Sequence, residues 1–591
     1  VRFTRPRPLN PANAAPEGWP VAAMAAIALP LLFSYELPPA HRTVQQCLSV
    51  LGWGLCLMLA ARLNAGHRRA HWPLPAALGA LLLAALASVV WLQAARAPAL
   101  TSAGLLLVAL LVADAGHRQA QGARAQACFE AVCAAILLAA RLNAVIGIVQ
   151  LALPLLPDLP MLATTRVPGR ATGNLRQANQ LASLMLWGLV ATAHLHGARA
   201  GTRRGWVLAI DAVLLSAALA LSGSRWGLAG LALLAAWALL DRCASPALRR
   251  GLAIAAAACL ATALLGLWLS EHGAQASGLA ARLQADTGPD AGRNGRWPLW
   301  QAAWSLALQH PWTGVGWGQF NLAWSLQPVA HRGTALFNHA HNLPLQLWAE
   351  MGLLAGSAVL AMLGLALARL LRRCIGDTSP QGAMRRSCWL FMLVMLGHSL
   401  LEFPLWHAYF LLPSVWLLAF GLATEPNQTP EQAPGPARHA GMGRIRLGLA
   451  LACVMAGAAA LLDYLHLTHA PLPADARGRP PSSSLLFAHV ADHRTARETA
   501  AVDPPVLRSA LAFLVDPVLL DRWATHLETT GRIDDAWAVR RRLHELASRT
   551  DRSATAPLPD CPGDHRADRW RELLALAPGA RRHETVAAGA C

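Results

Sequence analysis

The stretch FNHAHNLPLQLWAEMGLLAG, residues 337–356, runs from two histidines and an asparagine straight into an apolar helix with almost no other polar group. Polar groups taken into an apolar surrounding need partners or a task, so a membrane segment that opens this way marks either a structural cap or a place where chemistry is done. Deciding between the two requires knowing where the stretch falls in the chain.

The chain has 591 residues, of which 55% are hydrophobic, and its mean hydropathy is +0.36. Apolar runs recur through its first three quarters, which is the pattern of an all-α polytopic membrane protein. Every one of the 50 basic residues is Arg. The net charge of +18 is accounted for by positive loops flanking membrane spans and is a weak argument for nucleic acid, which is not expected as a partner. A window of about 19 residues places about thirteen transmembrane helices. They fall near 21–36, 44–61, 74–92, 99–115, 127–153, 181–196, 206–222, 226–240, 251–269, 342–368, 387–402, 405–423 and 447–465. Arg2, Arg5 and Arg7 precede the first, but no clean small-residue cleavage site follows it, so it reads as a span and not as a signal peptide.

Arginine placement orients these helices, because cytoplasmic loops carry the excess positive charge. With the N-terminus inside, the rich loops hold Arg62, Arg68 and Arg69, Arg118 and Arg124, Arg199 to Arg204, Arg242 to Arg250, Arg369 to Arg386, and Arg438 to Arg446. An odd number of spans puts the C-terminal region outside, in the periplasm of a Gram-negative cell. The expected organisation is a membrane domain over 1–423 with an outer loop at 270–341, a cytoplasmic linker at 424–446, a last span at 447–465 and a periplasmic helical region at 466–591. Of eleven cysteines only Cys561 and Cys591 fall in that last region, where either a disulfide or two free thiols is compatible with the compartment.

The arginines on the poor side are then informative: Arg166, Arg170 and Arg176, Arg225 in LSGSRWG, and Arg282, Arg293, Arg296 and Arg332. Fixed anions at the outer face are a reason for them to be there, and guanidinium forks suit the diphosphate of a lipid carrier. Arg225 lies in a hairpin of a few residues at the bilayer edge, where an ionised group has a partner or a function; snorkelling to headgroups is the plain alternative. Arg141 falls inside the fifth span and marks a broken helix, a buried ion pair or a misplaced boundary. His339, His341 and Asn342 come at the start of the tenth helix on the same face as the exceptional arginines, where free backbone N–H groups favour an anion and a neutral imidazole can accept a hydroxyl proton. A metal site is not expected, because no third ligand follows at suitable spacing and Glu350 lies nine residues past His341 on the opposite helical face. Gly352 and Gly356 read as close helix-packing positions.

HNLPLQLWAEMGLLAG, with His341, Asn342 and Gly352, resembles the hallmark of the O-antigen ligase and polymerase superfamily. The segment GRWPLWQAAWSLALQHPWTGVGWGQF, with Arg296, Trp300, Gly314 and Gly316, and the hairpin SGSRWG are similar to two more of its motifs, so the resemblance covers roughly 165–420. RATGNLRQANQLASL and LEFPLWHAYFLLP look like motifs of the bacterial protein O-oligosaccharyltransferases of PglL type, with Ala178 standing where a small residue or proline is expected before Asn179. This resemblance implies a GT-C-like integral membrane enzyme, active without a metal or other cofactor. It would pass a glycan, with inversion, from undecaprenyl diphosphate to an acceptor hydroxyl on the periplasmic side of the inner membrane. It implies that Arg225 and Arg296 hold the diphosphate, with Arg170 beside them, that His341 is the base or orients the acceptor, and that Gln177, Asn179 and Glu402 serve the site in less defined roles, with His339 and Asn342 adjoining it. The acceptor remains open between Ser or Thr of a periplasmic protein, lipid A core, and a growing glycan. A lipid-linked glycan transporter is the alternative of a different class, and it would need more polar residues at mid-bilayer than Arg141.

Beyond the last span, DRWATHLETTGRIDDAWAVRRRLHELASR reads as two amphipathic helices across a glycine turn, with Trp523 and Leu527 on one and Ala536, Val539 and Leu543 on the next, in the manner of a tetratricopeptide pair. The pair either packs on the membrane domain or binds acceptor.

Overall fold

A computed structural model of the chain describes residues 16–61, 72–91, 96–197, 202–273, 275–286, 295–327, 336–424, 437–472 and 474–547. All thirteen expected spans are helices: α1 (Trp19–Leu32), α2 (Thr43–Ala61), α3 (Pro73–Trp91), α4 (Arg96–Ala120), α5 (Ala125–Ala152), α6 (Ala178–Gly197), α7 (Thr202–Leu221), α8 (Arg225–Leu240), α9 (Pro246–Glu271), and then, after the long loop at 272–342, α13 (Leu343–Cys374), α14 (Pro380–Ser399), α15 (Ala408–Ala423) and α16 (Ala437–His469). The loop itself carries α10 (Leu279–Asp286), α11 (Arg296–Gln309) and α12 (Phe320–Leu326). Beyond α16 follow α17 (Ala488–Glu498), α18 (Pro504–Phe513), α19 (Pro517–Thr529) and α20 (Ile533–Ala547). The last membrane helix starts at Ala437, ten residues before the sequence expectation, and so takes in the second half of the expected linker. Cys561 and Cys591, Arg293 and Arg332 lie outside the described residues.

Eight of these helices are long and apolar enough to cross a membrane by length and composition, and α1, α8 and α15 are shorter apolar helices. The remaining two, α6 and α14, are buried along nearly their whole length. Their weaker hydropathy follows from that position, since a helix enclosed by protein tolerates polar side chains that find partners inside the bundle. Arg386 of α14, for instance, sits 2.6 Å from Asp241.

Arg141 belongs to such a pair, which resolves its three readings. Its Nε and Nη2 donate to the two carboxylate oxygens of Asp211 in α7, both at 2.7 Å, and the Thr192 hydroxyl of α6 donates to the same carboxylate at 2.6 Å. The bidentate fork ties α5, α6 and α7 together.

Two further local features place the face on which His341 lies. The RATGNL turn ahead of α6 is held by polar side chains of α5: Gln150 accepts from the N–H of Thr172 and Gly173 and donates to the carbonyls of Ala163 and Gly173, while Asn143 accepts from the N–H of Asn174. The second is a break in α13 at Gly352, whose φ of 80° and ψ of 168° are open to glycine and strained for other residues. The strand of loop after α11 plugs this break. Val315 and Gly316 donate to the carbonyls of Ala349 and Glu350, and Leu353 donates to the carbonyl of Pro311. The backbone groups released by the break are thereby satisfied, as they must be at membrane depth.

The C-terminal helices form the expected hairpin, with Trp523, Leu527, Ala536 and Val539 buried. They share one apolar core with α11 and α12, in which Leu520 and Trp523 join Leu299, Leu306 and Trp324. Packing on the loop between α9 and α13 is therefore a role the module has in the fold.

Two substitutions test these constraints. Asp211→Leu leaves Arg141 without its carboxylate and is expected to lower the melting temperature, whereas the joint change Arg141→Met with Asp211→Leu recovers most of the lost thermal stability; equal melting temperatures for the two variants would contradict the pair. Gly352→Ala would bring a Cβ to 2.6 Å from the backbone of Trp312 at a left-handed φ. It is expected to lower the melting temperature more than Gly364→Ala, at which nothing lies within 4 Å of the added carbon.

Candidate active site

His341 is one of two non-glycine residues with a left-handed backbone among those described, with φ of 51°. Strain of this kind is retained where the surroundings over-determine it. Here the next residue, Asn342, caps α13, its Oδ1 accepting from the N–H of Leu345 at 3.1 Å and its Nδ2 donating to the carbonyl of Leu400 at 3.0 Å. Both ends of that side chain are thus engaged in fixing the loop beside His341.

The turned loop delivers the His341 imidazole to Glu402. Nδ1 lies 2.6 Å from Oε2 of the carboxylate. Arg296, the first residue of α11, donates from Nη2 to Oε1 at 2.5 Å, and Asn179 near the start of α6 donates from Nδ2 to the same oxygen at 3.0 Å. Asn179 then turns its Oδ1 to the hydroxyl of Ser224, which donates at 2.6 Å and also caps α8 by accepting from the N–H of Gly227. Arg225 follows Ser224 directly and is exposed. One carboxylate thereby collects residues from three separate segments, and the Ser-Arg hairpin is attached to it through a single asparagine.

The electrostatics favour this assembly. Glu402 is 7% exposed. Burial alone would oppose its ionisation, but the hydrogen bond and charge of His341 together with the charge of Arg296 outweigh that and hold its pKa below the ordinary glutamate value. The guanidinium of Arg296 is not saturated: its Nε is buried and has no hydrogen-bond partner among the described residues. A buried donor left unmatched by protein is a place for a ligand oxygen.

His339 is placed differently from its neighbour. Its ring stacks on Phe403 at 4.3 Å with an interplanar angle of 10° and meets Trp406 edge-on. Burial, reinforced by nearby His341 and opposed by Glu402, holds its pKa down to about 3. It is a neutral packing element behind the site. His341 touches the other side of the same arrangement, edge-on to Phe403 at 4.9 Å and to Phe337 at 5.7 Å.

Gln177 and Arg170 make local contacts that hold the neighbouring turns. Gln177 accepts from the N–H of Gln180 at 2.6 Å and so caps α6. Arg170 donates from Nε to the carbonyl of Ser222 at 2.8 Å and from Nη2 to that of Gly223 at 3.3 Å, bracing the hairpin that presents Arg225. Arg176 and Arg166, grouped with Arg170 in sequence, are paired elsewhere: Arg176 with Asp158 and Arg166 with Glu36, each at 2.7 Å.

Sequence reasoning missed His398. It sits one turn before Glu402, accepts that residue's backbone N–H at its carbonyl, lies 2.8 Å from Ser183 Oγ, and stacks on Trp226. Trp226 donates to the same Ser183 hydroxyl. A histidine in an apolar run one helical turn from an acidic residue was the available signal.

Comparisons with known proteins match three segments of the chain. Residues 211–360 match the model of an O-antigen ligase family, residues 171–196 that of a protein glycosylation ligase, and residues 387–546 that of the C-terminal part of a membrane-bound polymerase described as a virulence factor. A general O-oligosaccharyltransferase of Acinetobacter baylyi is 30% identical over 136 residues, a stretch that covers 23% of this chain and 23% of that protein. The chain thus matches about a quarter of the relative's length. The residues that converge on Glu402 fall within the matched segments, so the part of the chain that carries the site is similar to O-antigen ligases over 211–360 and to protein glycosylation ligases over 171–196.

Proposed function

We propose that the protein transfers a glycan from undecaprenyl diphosphate to Ser or Thr hydroxyls of periplasmic proteins, at a site on the periplasmic side of the bacterial inner membrane. In this reading the N-terminus is cytoplasmic and the C-terminal module periplasmic. The observation that carries the proposal is the shared carboxylate of Glu402, which fixes a histidine and an arginine against each other while leaving Arg296 Nε unmatched.

The chemistry follows from that arrangement. With Nδ1–H donated to Glu402, the His341 imidazole keeps its lone pair on Nε2, the tautomer a general base requires. The acceptor oxygen attacks the anomeric carbon from the face opposite the diphosphate. As the new C–O bond forms, the bond to the diphosphate oxygen breaks, its electron pair leaves with the phosphate, and the hydroxyl proton passes to Nε2. Arg296 and Arg225 meet the negative charge that develops on the leaving group, doing by fixed cations what Mg²⁺ does in many soluble transferases. Inversion at the anomeric carbon is the stereochemical result. Arg170 acts through the hairpin it braces, and Asn179 keeps the carboxylate and that hairpin in register.

Transfer to lipid A core is the second reading, supported by the O-antigen ligase match over 211–360, and glycan polymerisation a third, supported by the match over 387–546. Supplying purified protein with lipid-diphosphate-linked glycan together with a Ser-rich periplasmic protein, lipid A core, or a second donor separates them. Glycan on the protein is the expected outcome; glycan only on lipid A core or on donor would overturn the acceptor assignment.

His341→Ala is expected to reduce the turnover of bound donor by about 10²–10⁴-fold with folding retained, the range for removing a positioned general base. Normal turnover by a well-folded variant would remove His341 from the mechanism. The lowered pKa of Glu402 sets a pH dependence as well. A carboxyl whose folded pKa is depressed stabilises the fold fully above its unfolded value of about 4.3, and that contribution disappears as pH falls through the folded value. The stability advantage of the parent over Glu402→Gln should therefore persist to pH 5 and shrink only under more acidic conditions; an advantage that grows on acidification would contradict the assigned direction.

A further inference from the structure

α11 carries apolar residues on two faces. Leu299, Ala302, Ala303 and Leu306 are buried against α13 and the C-terminal module. The opposite stripe, Trp297, Trp304 and Leu308 at helical spacing with Gln301 between them, is exposed, Trp297 to 68% and Trp304 to 41%. Trp312, just past the end of the helix, is 78% exposed. An ordinary soluble loop does not turn three indoles outward, so this face has an occupant.

The depth of the stripe says what the occupant is. The arginines at the far end of α13 begin at Arg369, and a hydrocarbon core about 30 Å thick takes about 20 residues of helix, so the near boundary of the core falls between about Trp348 and Gly352. Trp348 is the α13 residue against which Trp304 packs, with ring centroids 5.7 Å apart. Trp312 is fixed at the same level, because the backbone on either side of it bonds into the break of α13 at Gly352. Leu354, six residues past Trp348 and on the membrane side of that break, is 71% exposed. The outward stripe of α11 therefore continues the lipid-facing surface of a membrane helix, at the level where Trp is favoured.

We propose that α11 with Trp312 is an interfacial membrane anchor, its indole stripe seated in the phospholipid interface of the leaflet on the Glu402 side. A helix with one face packed on protein and an aromatic face toward the bilayer edge has the composition of an interfacial segment. The consequence for the site is geometric. Arg296 is the first residue of α11, so the anchor holds its guanidinium at the level of the lipid phosphates. This inference stands independently of glycan transfer, since it concerns only where the helix sits.

The full-length protein in nanodiscs of ordinary or 6,7-dibrominated phosphatidylcholine tests it by tryptophan fluorescence. The emission lost on Trp304→Phe with Trp312→Phe reports those two indoles, and the emission lost on Trp206→Phe reports an indole 72% exposed at the start of the membrane helix α7. The expected result is that bromine quenches the first difference at least as strongly as the second. A first difference that bromine leaves unquenched, with emission at the wavelength of hydrated indole, would overturn the anchor and assign the stripe to water or to a protein partner.

Discussion

A single ionised carboxylate, Glu402, holds together parts of the chain that are far apart in sequence. The loop before α13, the start of α11 and the start of α6 each send one group to it, and the Ser224–Arg225 hairpin joins through Asn179. Its burial would be costly without those groups, and the cations would repel one another without the carboxylate. The membrane helices make the arrangement possible by bringing four interfacial segments to the same end of the bundle, where a charged cluster can be both partly desolvated and open to ligand.

Support extends outward from this centre in two directions. Behind it, His339, Phe403 and Trp406 form an aromatic layer, while Ser183 is shared by His398 and Trp226. Above it, the C-terminal helices pack on α12, whose Trp324 meets Phe337 edge-on, and Phe337 in turn meets His341. The tail is thus connected by contact to the loop that bears the histidine, and it reaches the site through packing.

Much of this was legible in the sequence because membrane helices announce themselves by length and hydropathy, and because arginines on the sparse side of the bundle are conspicuous. His341, Arg296 and Glu402 were all identifiable, yet their common meeting point was not, since residues 106 and 61 apart from Glu402 are joined only by tertiary packing. Polar residues within a motif are harder to sort. Asn342 and Gln177 look like ligand contacts in sequence, but each precedes a helix and supplies the oxygen that a helix start requires. Arg170 looks like Arg225, and only the path of the hairpin shows that one braces what the other extends. Asp211 was invisible as a partner for Arg141 because periodicity along one helix carries no information about which neighbour lies opposite. The break at Gly352 was likewise read as close helix packing, since a glycine that admits another segment's backbone has the same sequence signature as one that admits a helix.

The most direct measurement of the central idea is a double-mutant cycle between Glu402 and His341, read as turnover of bound glycan donor by folded protein in lipid nanodiscs. If the carboxylate works by fixing the imidazole, Glu402→Gln should cost little further activity once His341 is already Ala, and the two losses should fail to multiply. Losses that multiply fully, as for two independent groups, would contradict the account.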